Sequence, residues 1–174
     1  MTWRLRLGWA ALGAILTIGL ILIGGYLFVI SGGVRMSAAA SPLPLEKTIA
    51  RLALDASDHS ERQTQDPLPV NDANLLAGAK VYHDHCAFCH GTPNKPADPT
   101  SAAMFPDPPQ LFSADGKVTD DPEGITHWKV TNGIRLSAMP AFGNILSDAQ
   151  RWQVTMLVAH ADKLPPQVQT AIQP

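Results

Sequence analysis

The sequence predicts an all-α chain: one membrane-length apolar helix, then a small helical domain. Three observations carry this. Leu7 to Ile30 is a run of 24 positions without a charged side chain. Beyond it, apolar residues recur at three and four, and no strand-like alternation or internal repeat stands out. Both cysteines of the 174-residue chain fall in one pentapeptide, Cys86-Ala87-Phe88-Cys89-His90, at the end of a helical segment.

Residues 1–6 form a short stub. Residues 7–30 exceed the roughly 20 apolar residues a helix needs to cross the hydrocarbon layer. A cleaved signal peptide competes, with Ser37-Ala38-Ala39-Ala40-Ser41 as a small-residue cleavage site. Its apolar core would be only about 7–15 residues, so length favours an uncleaved signal anchor. Arg4 and Arg6 precede the run and only Arg35 follows it closely. The positive-inside bias therefore places the N-terminus in the cytoplasm and the rest outside it. Trp3, Trp9 and Tyr26 sit near the ends, as interfacial aromatics do.

Residues 31–70 read as an extracytoplasmic linker carrying an amphipathic helix. Ser31-Gly32-Gly33 punctuates the end of the apolar run. From Pro44 to about His59, Leu45, Ile49, Leu52 and Ala56 recur with helical spacing. That helix is either a spacer packed on the following domain or a contact for a partner subunit. Residues 60–70 are polar with Pro67 and Pro69, and read as a linker.

Residues 71–174 form the functional domain. Asn71 or Asp72 caps a helix running to about His85, with Leu75, Leu76, Ala79, Val81 and Tyr82 as its apolar face. Prolines at 93, 96, 99, 106, 108 and 109 make Gly91–Pro109 a loop. A short helix lies around Trp128, between Gly124 and Gly133. Ser147 and Gln150 make a capping box that opens the last helix. It runs to about Lys163 and stops before Pro165-Pro166. Trp152, Thr155, Met156, Leu157, Ala159 and His160 supply its inner face.

The pentapeptide has the C-x-x-C-H pattern of covalent haem attachment. Cys86 and Cys89 would form thioethers, and His90 would bind the iron from one face. No cysteine remains for a disulfide or a cluster, so the pattern predicts one haem. A thiol redox pair would need a βαβ setting, which the helical flank lacks. A zinc site would need about four ligands, and His83 and His85 stand too close before Cys86 for ordinary finger spacing. For the opposite face the candidate is Met139. Its thioether favours ferrous iron and raises the potential, and Pro140 keeps it outside a helix. Met104, His127, Met156 and His160 are rivals; ligation by His127 would lower the potential. The formal charge of −2 makes nucleic acid an unnatural partner. Residues 71–174 carry seven Lys or Arg against ten Asp or Glu, an acidic surface that two haem propionates would deepen.

Residues 71–164 resemble a class I c-type cytochrome domain of the membrane-anchored bacterial monohaem type. The matching residues are Gly78-x-x-x-Tyr82, Cys86 to Gly91, Met139-Pro140, and Leu146-Ser147-Asp148 with Trp152. The stretches Pro106–Leu111, Asp120–Gly124, Trp128 and Asn132 to Arg135 extend the likeness. The resemblance implies that Gly78 lets the first and last helices approach, with Tyr82 and Trp152 filling the contact. It implies that Trp128 and Arg135 contact the haem propionates. It also implies a proline carbonyl that accepts the proton of the axial His, and both Pro93 and Pro96 are available. Covalent haem attachment in bacteria implies an inner-membrane protein with its haem domain in the periplasm. The implied function is single-electron transfer between respiratory redox partners, as a tethered shuttle or the cytochrome subunit of a membrane complex. The alternative is a haem enzyme or gas-binding sensor with an open or labile iron site. No nucleophile–base pair or phosphate loop is present, so no catalytic residue is assigned, and a carrier fits better than an enzyme acting by itself.

Overall fold

A long uncharged apolar run satisfies its own backbone groups most simply as helix, and the chain does so from Trp3 onward. The computed structural model describes residues 2–113 and 118–173. Its first helix, α1 (Trp3–Ile30), has 28 residues and takes in Arg4 and Arg6 ahead of the uncharged run. It is long and apolar enough to cross a membrane by length and composition. At 1.5 Å per residue it measures about 42 Å. The chain divides into two compact units, Met1–Glu46 and Lys47–Pro174.

The second unit is helical, and among the described residues its only β-type pairing is an isolated bridge between Thr92 and Lys95. The amphipathic segment forms α2 (Glu46–Asp58), which starts after Leu45 turns the chain with φ 66°. A 3-10 turn, His59–Gln63, follows. This turn packs on α5 (Glu123–Asn132): a Cβ on Gly124 would run into the Glu61 carbonyl and Thr64. The Asp66 amide also donates to Glu123 Oε2 at 3.1 Å. The stretch that reads as a linker is therefore packed. Its contacts are polar or backbone groups against a glycine and a carboxylate, which leave no apolar pattern in the sequence.

The frame of the domain is a helix pair. Asn71 caps α3 (Asp72–His85) by accepting from the Asn74 amide at 2.9 Å. Ser147 caps α6 (Asp148–Ala159) with the full capping box, its oxygen facing the Gln150 amide and Gln150 Oε1 facing the Ser147 amide. The two helices cross at Gly78, where an added Cβ would strike the Gln153 carbonyl. Leu75, Ala79, Tyr82, Val154, Met156 and Leu157 are buried around the crossing. Fully burying each large apolar side chain contributes about 1.5–3 kcal/mol, which holds the pair together.

Two details depart from the sequence expectation. The last long helix ends at Ala159 rather than about Lys163, with His160 as its C-cap. A further helix, α7 (Pro166–Ile172), then starts where Pro165-Pro166 reads as a stop. Proline is disruptive inside a helix but is well placed in its first turn, where no backbone donor is needed. Val168 and Ile172 of α7 are fully buried, and Gln167 donates to Asp72 at 2.7 Å, docking α7 on α3.

Candidate haem site

The end of α3 delivers the pentapeptide. The Cys86 amide still donates to the Tyr82 carbonyl at 2.8 Å, so helix geometry persists to the first thiol. One further turn, α4 (Ala87–His90), closes with Cys89 and His90 amides donating to the Cys86 carbonyl at 3.1 and 2.9 Å. Positions three apart on such a turn share a face, so both sulfurs lie on one side. They are free thiols rather than a disulfide.

The end of the proline-rich loop is strapped to this turn. His90 Nδ1 lies 2.8 Å from the Pro109 carbonyl. A carbonyl only accepts, so Nδ1 carries the proton and Nε2 keeps its lone pair. The acceptor is thus Pro109, neither Pro93 nor Pro96. Both of those are near in sequence, but the chain folds back and brings residues 109–111 alongside His90. The Leu111 amide donates to the His90 carbonyl at 3.3 Å. Gly91 has φ 70°, and a Cβ there would meet Gln110 Oε1 at 2.7 Å, so only glycine suits this corner. The buried Tyr82 hydroxyl donates to the Gly91 carbonyl at 2.8 Å, and its ring meets Phe112 edge-on at 5.1 Å.

The Met139 loop is a second tight structure. Gly133, φ 65°, ends α5 and leaves no room for a Cβ beside Met139, Pro140 and Ala141. Ser137 Oγ donates to the Ile134 carbonyl at 2.7 Å and accepts from the Met139 amide at 3.1 Å. The Ile134 amide donates to the Met139 carbonyl at 3.2 Å. Met139 is half-buried against the same apolar cluster that receives Cys86, Ala87, Leu111 and Phe112. Of the residues singled out in sequence, Cys86 and Met139 thus meet at one cluster.

The other candidates are occupied elsewhere. His127 lies flat on Trp152, ring centroids 3.8 Å apart, with Nε2 3.5 Å from Asp148. Trp152 thus stacks on a histidine and lies outside the buried cluster that holds Tyr82. Met156 is fully buried in the core, and His160 Nδ1 faces the Met156 carbonyl at 2.9 Å. Met104 is half-buried in the proline-rich loop. Trp128 is half-buried on α5, and Arg135 is exposed in the turn that follows it.

Burial sets the protonation of this donor set. Burial pushes the Cys86 thiol up to about 12, with Cys89 adding to the effect, and burial also raises Cys89. Among the described residues no three His, Cys, Asp or Glu groups converge as a metal cluster. Burial holds His90 below the ordinary histidine range, partly offset by the Pro109 hydrogen bond. A neutral imidazole beside two protonated thiols fits a haem held by two thioethers and one nitrogen ligand.

Comparisons with known proteins agree with this donor set. Residues 73–156 match the family described as cytochrome c oxidase, cbb3-type, subunit III. Over 92 residues the chain is 36% identical to cytochrome c6 of Picosynechococcus sp., covering 52% of this chain and 76% of that protein. The chain belongs to the class I c-type cytochromes. Membership implies covalent haem c and makes this cytochrome a haem-based electron carrier. A solved chain of the reducing HAO-like protein complex of Kuenenia stuttgartiensis aligns with TM-score 0.44 at 24% identity, covering 56% of this cytochrome and 49% of that chain.

Proposed function

We propose that this cytochrome is a membrane-anchored monohaem carrier, passing single electrons between respiratory redox proteins on the periplasmic side of a bacterial inner membrane. Cys86 and Cys89 are its thioether residues, and His90 and Met139 its axial ligands. The observation that carries the reading is the His90 hydrogen bond to Pro109, which leaves Nε2 as a preset nitrogen donor directly after two thiols. Bound haem supplies reversible one-electron change between ferric and ferrous iron.

The chain supplies the rest. Pro109 fixes the His90 ring, so the imidazole need not reorient when charge changes. Met139, held by Ser137, offers a neutral sulfur that favours the ferrous state and raises the potential. Arg135 presents an exposed guanidinium able to pair bidentately with a propionate, and Trp128 lies one helical segment before it. The apolar length of α1 supports anchoring. The match to an oxidase-subunit family supports a place as the cytochrome subunit of a membrane complex; a tethered shuttle is the other form of the same reading.

Met139→Ala tests the ligand set. The wild-type ferric protein is expected to show the far-red absorbance band of sulfur-bound iron. The variant is expected to lose that band, bind carbon monoxide readily in the ferrous state and have a lower potential. A wild-type ferric spectrum without the band removes Met139 from the iron.

A further inference from the structure

The apolar stripe of α2 is turned away from the unit to which it belongs. Ile49 and Leu52 are 62% and 64% exposed, and Ala53 and Ala56 are exposed on the same side. The residues that face inward are Leu54, half-buried, and Asp58, buried. At 3.6 residues per turn, positions 49, 52, 53 and 56 share one face, and 54 and 58 lie on the other. Among the described residues no helix packs along α2. A helix of 13 residues that is held inward only along Leu54 and Asp58 leaves its apolar stripe in water, where burial of that stripe against a surface would stabilise it.

Chain connectivity favours lipid over a soluble partner. The residues 31–45 join the end of α1 to the start of α2. A flexible stretch of that length has an end-to-end distance of about 20 Å, and its fully extended limit is about 50 Å. With α1 across a bilayer, α2 is therefore confined near the headgroups at high effective concentration. The helix is strongly sided yet not very apolar overall, which suits lying in an interface rather than spanning it. Lys47 and Arg51 are exposed on the face opposite the stripe, which leaves neither charge among Ile49, Leu52, Ala53 and Ala56.

We propose that α2 is an interfacial helix that binds the bilayer surface through Ile49, Leu52 and Ala56, as a second membrane contact beside α1. The proposal rests on the reading of α1 as an uncleaved anchor. The test is hydrogen exchange on the full-length, haem-loaded protein in nanodiscs of phosphatidylcholine with a minority of phosphatidylglycerol, compared with the Ile49→Glu/Leu52→Glu variant. Peptides from 46–58 are expected to exchange at least about tenfold more slowly in the wild type, consistent with coupling of local opening to lipid contact. Peptides from 3–30 stay protected in both proteins, and the haem absorbance is the same. Equal exchange of 46–58 in the two proteins, with 3–30 protected, overturns the proposal and leaves the anchor standing. Free exchange of 3–30 in the wild type overturns the anchor, and the proposal with it. Protection of 46–58 that requires a co-extracted protein assigns the face to that protein and overturns the lipid assignment. A measurement without any variant guards against misfolding. Headgroup-nitroxide lipid should broaden the amide signals of Ile49 to Ala56 in the ferrous wild type while sparing those of α6. Unbroadened signals overturn the proposal.

Discussion

Tyr82 and Gly78 sit one turn apart on α3 and serve different ends of the same contact. Tyr82 is fully buried, and among the described residues its hydroxyl has one partner, the Gly91 carbonyl at 2.8 Å. Tyr82→Phe keeps the ring against Phe112 and leaves that carbonyl without its donor. The expected cost is about 1–3 kcal/mol, read from urea unfolding of the haem-loaded protein. Gly78→Ala places a methyl against the Gln153 backbone, which cannot rotate aside as a side chain can. About 1–3 kcal/mol of destabilisation is expected from such overpacking, and an unchanged unfolding midpoint would show that α3 and α6 can separate freely. At this scale much was legible beforehand. Cys86, Cys89 and His90 announce themselves because haem attachment needs those side chains at that spacing. Pro109 did not, because its contribution is a main-chain oxygen, and every residue carries one.

The caps of α3 and α6 were visible in sequence because capping is local chemistry between side chains and backbone three residues away. Ser147→Ala removes the capping box and is expected to cost about 1 kcal/mol of stability by thermal melting. α7 was hidden, because a double proline reads as termination unless the helix begins on it. The pairing of α5 with α6 through His127 and Trp152 was equally hidden: no spacing rule links positions on different helices. That pairing has a pH consequence. Burial pushes His127 below the ordinary histidine range, Arg151 acts in the same direction, and Asp148 and Glu61 act against them. The fold thus favours the neutral ring. Its contribution is complete above the unfolded value of about 6.5 and is lost as pH falls through the lower folded value. Melting temperature should therefore drop between about pH 7 and about pH 5, and His127→Phe, which keeps a flat ring on Trp152, should flatten that slope. An unchanged slope in the variant would assign the acid sensitivity to other groups.

At the scale of the whole molecule, the uncharged run made α1 legible, since its length exceeds what a buried core helix or a signal core requires. The packing of residues 59–66 on α5 was not legible, since polar residues held by backbone contacts look like any connector. The anchor gives a direct measurement. Intact mass of the detergent-extracted protein should correspond to a chain that retains residues 3–30 and carries one haem. A shorter chain beginning after the small-residue stretch Ser37 to Ser41 would show cleavage and a protein released from the membrane.

The bond between His90 and Pro109 has one more consequence. The two partners are 19 positions apart, and the acceptor belongs to the peptide backbone. A scan that swaps side chains one at a time would pass over position 109 with little effect, since the replacement brings its own carbonyl. Lengthening or shortening the loop between Gly91 and Pro108 by a residue would shift that oxygen out of line. In this stretch, chain length is constrained more tightly than side-chain identity.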